Sequence, residues 1–205
     1  MRSAQVWLFG GPSGAGKSRV SYPLGRALGL PVLEVDDIVE ALLAMTTPDQ
    51  QPTLHHWRIH PEAQALETAA IVELQIAVAR AIEPALEAVV ANHLETDLPA
   101  IIEGDYPLPS FAARAAFGSE PADGRVRAVF LDEPDQGWLI RNFAAREPAA
   151  GPQVGRATVS RLYGTWLARE AAALRLPVVA ARPWDTAMDR VVAAFSGQGS
   201  LVATD

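Results

Sequence analysis

A lysine and a serine close a glycine-rich stretch near the start of the chain, with the sequence Gly11-Pro12-Ser13-Gly14-Ala15-Gly16-Lys17-Ser18. The spacing fits G-x-x-x-x-G-K-[ST], the phosphate-binding pattern called the P-loop. Glycines let successive backbone N–H groups turn toward one bound group, and a following helix adds positive potential at its N-terminus. The pattern predicts a nucleotide site, and its candidate binding residues are Gly11, Ser13, Gly14, Ala15, Gly16, Lys17, Ser18 and Arg19.

The chemistry expected of this stretch centres on its last two residues. Lys17 would reach the β- and γ-phosphates of ATP, and the Ser18 hydroxyl would ligate Mg²⁺. Lys17 is the only lysine in the chain, and every other basic residue counted with it is an arginine. A compact ammonium suits such a loop better than a planar guanidinium. The alternative is a glycine-rich turn that binds nothing.

Alternating strand and helix patterns place this loop in an α/β domain. Short segments rich in β-formers predict strands at residues 4–10, 31–35, 100–103, 126–131 and 177–181. Helical patterns predict helices at residues 17–28, 38–45, 62–94, 110–117, 135–145, 158–174 and 186–195. We expect Pro84 to break or kink the longest helix, and the tail from Ser196 to fray. The order predicts one P-loop NTPase domain over residues 1–205, with a doubly wound, mostly parallel five-stranded sheet and helices on both faces.

Composition limits the classes of partner that the chain can have. Its 205 residues are 49% hydrophobic, enough for one buried core, and its formal net charge is −7. This acidic balance argues against a nucleic acid or a membrane surface as a partner. The sequence has no cysteine, which excludes disulfides and thiolate chemistry. No segment has the pattern of a signal peptide or a membrane span, so we expect a cytoplasmic protein. Its oligomeric state stays open.

Missing motifs narrow the class of P-loop protein. The guanine-reading N-K-x-D motif of GTPases needs a lysine, and none follows Lys17. The L-S-G-G-Q signature of transporter ATPases is also missing, and 205 residues leave little room for the helical lid domain of ring ATPases. The size and the order of elements are those of a kinase acting on a small molecule.

The sequence resembles the P-loop kinases that include uridine kinase-like, 2-phosphoglycerate kinase-like and zeta-toxin or chloramphenicol phosphotransferase-like enzymes. The resemblance lies in the glycine loop, in the Asp36-Asp37 pair after the second strand, and in Ile101-Ile102-Glu103-Gly104 at the end of the third. Residues 141–146, which carry two arginines, and residues 176–184 extend it. The resemblance implies transfer of the γ-phosphate of ATP to a hydroxyl group of a small molecule, with Mg²⁺ as the metal.

The acidic pair after the second strand is the first candidate for catalysis. Ligands of open parallel sheets bind beyond the carboxyl ends of the strands. The resemblance implies that Asp36 orients the acceptor hydroxyl or takes its proton. Asp37 is expected to cap the next helix or to contact the substrate, and the choice of base between the two stays open. The alternative is that the pair only caps a helix beginning at Ile38.

The end of the third strand supplies a metal candidate and two substrate candidates. Glu103 is placed to hold a Mg²⁺-bound water, with Ser18 and phosphate oxygens completing the coordination, because Mg²⁺ is rarely caged by protein alone. The alternative is a solvated acid at a strand end. Asp105 and Tyr106 follow on the same loop and are candidate substrate contacts.

Arginines surround a glycine- and proline-rich loop within residues 141–161. The resemblance implies that this region is a lid that closes over the phosphates and brings arginines to the charge of the transition state. Arg141 and Arg146 match best and are candidate catalytic residues, while Arg156 and Arg161 lie in the same region. The alternative is ordinary charge on a solvated helix face.

The loop after the fifth strand carries a candidate adenine site. Arg182-Pro183-Trp184 resembles the loop that brackets the base in these kinases, and Arg182 and Pro183 are the candidate contacts, because an arginine plane and a proline edge suit stacking on a flat ring. The alternative is a simple turn.

The acceptor side is expected in residues 46–95. Three histidines fall between His55 and His60, but neighbouring histidines without a nearby acid lack the geometry of a zinc site. We expect this insertion to close over the acceptor, with Trp57 as an apolar wall and Arg58 or a histidine meeting an anionic or hydroxyl-rich group. The acceptor itself stays unidentified.

Three alternatives to this general prediction remain. The chain could be a nucleoside kinase, a toxin-type kinase that phosphorylates a nucleotide sugar, or an ATPase switch without a small-molecule acceptor. A switch would still hydrolyse ATP after Asp36→Asn, whereas a kinase would bind ATP and lose transfer.

Overall fold

The computed structural model describes residues 6–197. Its strands are β1 (Val6–Gly10), β2 (Val32–Glu34), β3 (Ala100–Gly104), β4 (Ala116–Phe117), β5 (Glu120–Pro121), β6 (Val126–Asp132) and β7 (Val178–Ala180). Strands β4 and β5 form a small antiparallel hairpin. The other strands form one parallel sheet in the order β2-β3-β1-β6-β7. The predicted parallel five-stranded sheet is confirmed.

Helices cover both faces of this sheet. They are α1 (Lys17–Leu28), α2 (Val35–Met45), α3 (His56–Ile59), α4 (Thr68–Glu95), α5 (Pro109–Ala112), α6 (Gln136–Arg146), α7 (Val154–Ala173) and α8 (Ala187–Gly197). Side chains alternate along β1, so Leu8 packs toward α2, α4 and α7, whereas Phe9 packs toward α1 and α8. No helix within residues 6–197 combines the length and the apolar character needed to cross a bilayer.

The strand register brings the candidate residues to one edge of the sheet. Gly10, the last residue of β1, lies opposite Gly104 of β3 and Phe130 of β6. In the neighbouring pair, Glu34 of β2 lies opposite Glu103 of β3. Because the strands are parallel, the loops that follow β1, β2 and β3 all leave from this edge.

Helix α1 has the predicted bounds, Lys17–Leu28. It ends at Gly29, whose φ of 67° is the left-handed conformation that glycine adopts without a Cβ penalty. Of the break or kink predicted at Pro84, the break is wrong, because α4 continues through this residue. Ile82 and Leu86 are fully buried on either side of the proline. Their packing holds the helix where one backbone hydrogen bond is missing.

The position of the acidic pair differs from the prediction. Helix α2 begins at Val35, not at Ile38, so Asp36 and Asp37 lie in its first turn. Neither residue is the cap, which is Glu34 and makes no side-chain capping bond, so the predicted capping by the pair is wrong. Acidic residues are favoured in a first turn, because the helix dipole is positive there.

Other differences lie at element ends. The predicted helix at 110–117 shrinks to Pro109–Ala112, because Phe117 pairs in the hairpin instead. Helix α7 begins at Val154, four residues before the helix predicted to begin at residue 158. Residues 4 and 5 of the first predicted strand lie outside the described residues. The same holds for the predicted tail beyond Gly197, the last residue of α8.

Candidate active site

A cavity of about 610 Å³ lies at the carboxyl edge of the sheet, around the glycine loop. The predicted residues that line it are Ser13, Gly14, Gly16, Lys17, Ser18, Arg19, Asp36, Glu103, Asp105, Tyr106 and Arg146. Trp184 of the predicted adenine loop lines it as well, together with residues that had been assigned no role, which include Glu34, Asn142 and Phe143. The glycine loop therefore faces the ends of β2 and β3 and the helix α6 across one shared space.

Lys17 lies at the centre of this cavity. Its ammonium group pairs with the Asp105 carboxylate and donates to the backbone oxygen of Pro12 at 3.2 Å. Burial alone would lower the pKa of Lys17, but the negative charges of Asp105, Glu103 and Asp36 outweigh burial and raise it. Lys17 is therefore fully charged at neutral pH and available to a phosphate group.

Two glycines of the loop are required by their backbone conformation and by their neighbours. Gly14 has a φ of 78°, and a Cβ there would lie 2.8 Å from Cζ of Phe143. Gly16 has a φ of 89°, and a Cβ there would lie 2.1 Å from Cη2 of Trp184. Aromatic rings of α6 and of the segment before α8 thus pack directly on the glycine loop.

Gly16→Ala is expected to destabilise the protein and to weaken nucleotide binding. Gly29→Ala, at the other end of α1, should destabilise the protein and leave nucleotide binding unchanged. Both sites have a positive φ, which costs a non-glycine residue about 1–2 kcal/mol. Only at Gly16 would the new methyl group also displace Trp184, because nothing lies within 4 Å of a Cβ at Gly29. Urea unfolding and calorimetric titration with ADP measure the two effects. Equal ADP affinity in both variants would contradict the assigned packing.

Glu103 joins the third strand to helix α1 through two hydroxyl groups. Ser18 donates to its Oε1 at 3.2 Å, and Ser21 donates to its Oε2 at 3.1 Å. Burial raises the pKa of Glu103, while the charge of Lys17 and the two hydroxyl donors oppose that rise. A serine hydroxyl beside a carboxylate at the phosphate loop fits Mg²⁺ held partly through water. Within residues 6–197 no group of three or more His, Asp or Glu side chains is arranged to hold a metal by itself.

Asp36 and Asp105 face the cavity from two neighbouring strand ends. Desolvation and the nearby charge of Asp105 raise the pKa of Asp36, although Lys17 and Arg146 oppose the rise. The backbone oxygen of Asp105 accepts a hydrogen bond from the Tyr163 hydroxyl at 2.8 Å, which ties its loop to α7. Two carboxylates beside one lysine are suited to binding and orienting a hydroxyl group.

The segment 141–161, predicted to be a lid, meets the glycine loop through α6 and α7. Asn142 of α6 donates from Nδ2 to the Gly14 oxygen at 2.8 Å. From α7, the Arg156 guanidinium lies 3.5 Å from the Ser13 hydroxyl, and it also pairs with Glu147 at 2.9 Å. Arg146 pairs with the same carboxylate at 3.2 Å. Hydrogen bonds from Arg156, Arg146 and Gln153, together with the charge of Arg156, lower the pKa of Glu147.

Two predicted arginines lie outside the cavity lining. The Arg141 guanidinium stacks on Trp138 at 4.3 Å from the ring centroid. Arg182 stacks on the same ring at 3.5 Å, and its Nε donates to Glu133 at 2.8 Å. Pro183 follows Arg182 and does not line the cavity either.

Other predicted residues also lie apart from the cavity. Gly11 and Ala15 are buried residues of the loop itself and do not line the cavity. Asp37 is exposed on the first turn of α2. Arg58 forms an exposed ion pair with Glu40 at 2.6 Å. An acid does lie near the histidines, because the Oε1 of Glu62 is 3.0 Å from His60 Nδ1, and the expectation that none is nearby is wrong.

The residues that sequence reasoning missed lack a local signal. Asn142 and Phe143 lie in a helix between the candidate arginines Arg141 and Arg146. They are uncharged, so their residue types alone do not indicate a phosphate site. Trp184 belongs to the predicted adenine loop, but its packing on Gly16 has no signal in the sequence. Only the packing of distant elements brings these side chains onto the glycine loop.

Comparison with known proteins gives partial sequence matches. No family profile matches the chain. It is 29% identical over 117 residues to a 2-phosphoglycerate kinase of Pyrococcus horikoshii, which covers 54% of this chain and 38% of that protein. It is 32% identical over 113 residues to a 2-phosphoglycerate kinase of Pyrococcus furiosus, which covers 52% and 36%. The matches thus span less than two fifths of these relatives' own length.

Solved structures match over nearly the whole chain. A shikimate kinase from Acinetobacter baumannii has a TM-score of 0.54 at 17% identity, covering 95% of this chain and 94% of its own. A gluconokinase from Sinorhizobium meliloti has a TM-score of 0.52 at 15% identity, covering 96% and 94%. A sugar kinase from Janibacter has a TM-score of 0.51 at 17% identity, and the match covers 100% of this chain and 100% of that one. The chain has the fold of the P-loop small-molecule kinases.

Proposed function

We propose that this protein is an ATP-dependent phosphotransferase that moves the γ-phosphate of ATP to a hydroxyl group of a small molecule. The observation that carries the proposal is the convergence of Lys17, Asp36 and Asp105 in one cavity at the glycine loop. A carboxylate beside the phosphate-binding lysine can take the proton of an acceptor hydroxyl, which transfer to a small molecule requires. The partial similarity to proteins named 2-phosphoglycerate kinase supports the same class of reaction.

The nucleotide side of the proposed site uses the loop and the start of α1. Backbone N–H groups of the glycine loop and the N-terminus of α1 would bind the phosphates. Lys17 would leave its pairing with Asp105 and bind the β- and γ-phosphate oxygens. Mg²⁺, held by Ser18 and through water by Glu103, would neutralise charge that develops on the phosphates when it is bound.

The acceptor side of the proposed site uses Asp36 as the base. The acceptor hydroxyl gives its proton to the Asp36 carboxylate while its oxygen forms a bond to the γ-phosphorus. The bond between that phosphorus and the bridging oxygen of ADP breaks, and ADP leaves. Phosphoryl transfer depends mainly on positioning and on charge stabilisation, so one well-placed carboxylate is enough.

The lid arginines complete the proposed site. Arg146 and Arg156 share Glu147 in this arrangement, and phosphate oxygens would compete with that carboxylate for the same guanidinium groups. We propose that residues 1–205 act as one kinase domain, with a lid at about 141–161 and an acceptor side at about 46–95. We also propose that the metal is Mg²⁺ and that the protein works in the cytoplasm.

The proposal is tested by ADP release from ATP and Mg²⁺ against a panel of sugars, nucleosides, phosphorylated acids and hydroxylated antibiotics. We expect one class of compound to stimulate ADP release at least tenfold, because the acceptor hydroxyl replaces water as the attacking group. Slow hydrolysis that none of these compounds changes would favour an ATPase switch and overturn the proposal.

A further inference from the structure

A second cavity, of about 620 Å³, lies between residues 57–68, helix α4 and the start of α7. Arg156 lines both this cavity and the cavity around the glycine loop, called the phosphate-loop cavity below. Gln75 of α4 lines it and also lines a space of about 20 Å³ beside Asp105 and Tyr106. Asp105 and Tyr106 also line the phosphate-loop cavity. The second cavity therefore adjoins the phosphate-loop cavity at Arg156 and, through this small space, at Asp105 and Tyr106.

The lining of this second cavity is about half apolar, and its polar part is mostly uncharged. Its aliphatic residues are Leu66, Ile71 and Val159, and its uncharged polar residues are Gln64, Thr68, Gln75 and Gln153. The Gln153 amide already bonds to Glu147 and Arg156. Trp57 adds an indole ring, and aromatic rings commonly form the apolar wall of a small-molecule site. Amides and hydroxyls both donate and accept hydrogen bonds, so they match a ligand that carries several hydroxyl groups.

Gln75 has an unfilled hydrogen-bonding group. Its Oε1 is buried and has no hydrogen-bond partner. A buried acceptor without a partner costs about 1–3 kcal/mol, and a ligand hydroxyl that donates to Oε1 would remove that cost. Tyr106 and Tyr163 line the same small space. The Tyr163 hydroxyl already donates to the Asp105 backbone oxygen, and burial raises the pKa of both tyrosines, which keeps them protonated.

The charge of the second cavity limits its ligand. Among residues 6–197, Arg156 is the one charged side chain in its lining, and the proposed function already assigns that guanidinium to the phosphates of ATP. Binding a phosphate and a carboxylate together calls for several unpaired cations or N–H donors. 2-Phosphoglycerate, named for the two Pyrococcus relatives, carries both groups, and this lining does not suit it.

We infer that the second cavity binds the phosphate acceptor and selects a polyhydroxylated compound that carries at most one negative charge. The inference rests on the proposed function, because it places the acceptor of that reaction. Gln75 receives a hydroxyl of the acceptor on Oε1, and Trp57 packs on its apolar face. Another hydroxyl of the same molecule is then held near Asp36 and Asp105.

The test compares D-gluconate, D-glucose and myo-inositol with 2-phosphoglycerate as acceptors, with wild-type protein and with Gln75→Leu. We expect at least one of the three polyhydroxylated compounds to be phosphorylated, with a kcat/KM at least tenfold above that of 2-phosphoglycerate. Gln75→Leu should raise the KM of that acceptor about tenfold, as expected for one lost hydrogen bond. The KM for ATP should change less than twofold, because Gln75 does not line the phosphate-loop cavity.

Stability separates a ligand-binding role for Gln75 from a structural one. Leucine removes a buried polar group that has no partner, so we expect a melting temperature equal to or above that of the wild type. Gln51→Leu is the matched control, because Gln51 is exposed and lines neither large cavity, and it should leave both KM values unchanged.

The possible failures are distinguishable. Phosphorylation of 2-phosphoglycerate in preference to all three polyhydroxylated compounds would overturn the inference and leave the kinase proposal intact. A Gln75→Leu variant that melts lower than wild type with an unchanged acceptor KM would also overturn it, since Gln75 would then be structural. ADP formation that no compound stimulates would overturn the inference together with the proposed function.

Discussion

Replacing Lys17 with methionine is expected to lower the rate of phosphoryl transfer by about 10²–10³-fold or more, the usual effect of removing one charge-stabilising donor. Methionine keeps the length of the side chain and loses the ammonium group. The chain has no other lysine, so no similar group can take over. Initial rates of ADP formation with a saturating acceptor measure the effect.

Arg26→Ala is the matched control for this variant. Arg26 is an exposed basic residue in the last turn of the same helix, α1, and it does not line the cavity. Its removal should leave the rate within twofold of wild type. Thermal unfolding of both variants checks that they fold, because Lys17 also balances the charges of Asp105, Glu103 and Asp36. A folded Lys17→Met protein with more than a tenth of the wild-type rate would contradict the assigned role.

Asp36→Asn is expected to lower the transfer rate by about 10²–10⁴-fold, the range for a general base, while ATP affinity changes little. Asn keeps the shape of the side chain but cannot take the proton. Asp37→Asn is the matched comparison, because Asp37 lies one residue further in the same helical turn and does not line the cavity. Single-turnover transfer and ADP titration separate chemistry from binding.

The pH dependence of transfer gives a second readout for Asp36. Its pKa is raised above the ordinary aspartate value, so the carboxylate gains a proton earlier as the pH falls, and the rate of a base-dependent step falls with it. We expect kcat/KM of the wild type to fall on the acid side, and the residual rate of Asp36→Asn to lack the part of that fall due to Asp36. Loss of transfer in Asp37→Asn with a retained rate in Asp36→Asn would assign the base to Asp37.

Local signals in the sequence were enough to predict the glycine loop and the helix behind it. The loop pattern fixes the start of α1, and Gly29 ends the helix because it takes up a left-handed conformation. The alternation of apolar strands with helical segments likewise predicted a parallel sheet. These features depend on neighbouring residues, so a single sequence reveals them.

Contacts between distant segments were not predictable in the same way. Val35 packs against Gly104, where a Cβ would lie 2.7 Å from the Val35 Cβ. Helix α2 begins at this valine, three residues before the predicted start at Ile38, so Asp36 lies in its first turn. The contact of Trp184 with Gly16 and the pairing of Arg182 with Glu133 similarly join residues far apart in the chain. No spacing in the sequence indicates either of them.

The measurement that most directly tests the proposed kinase activity is ³¹P NMR of the products formed from ATP and Mg²⁺ with the stimulating acceptor. Phosphoryl transfer predicts a new phosphate monoester resonance that grows in step with ADP, with little inorganic phosphate. Lys17→Met and Asp36→Asn should both fail to produce that resonance. Inorganic phosphate as the sole partner of ADP, formed equally well by Asp36→Asn, would contradict the proposal and identify the protein as an ATPase.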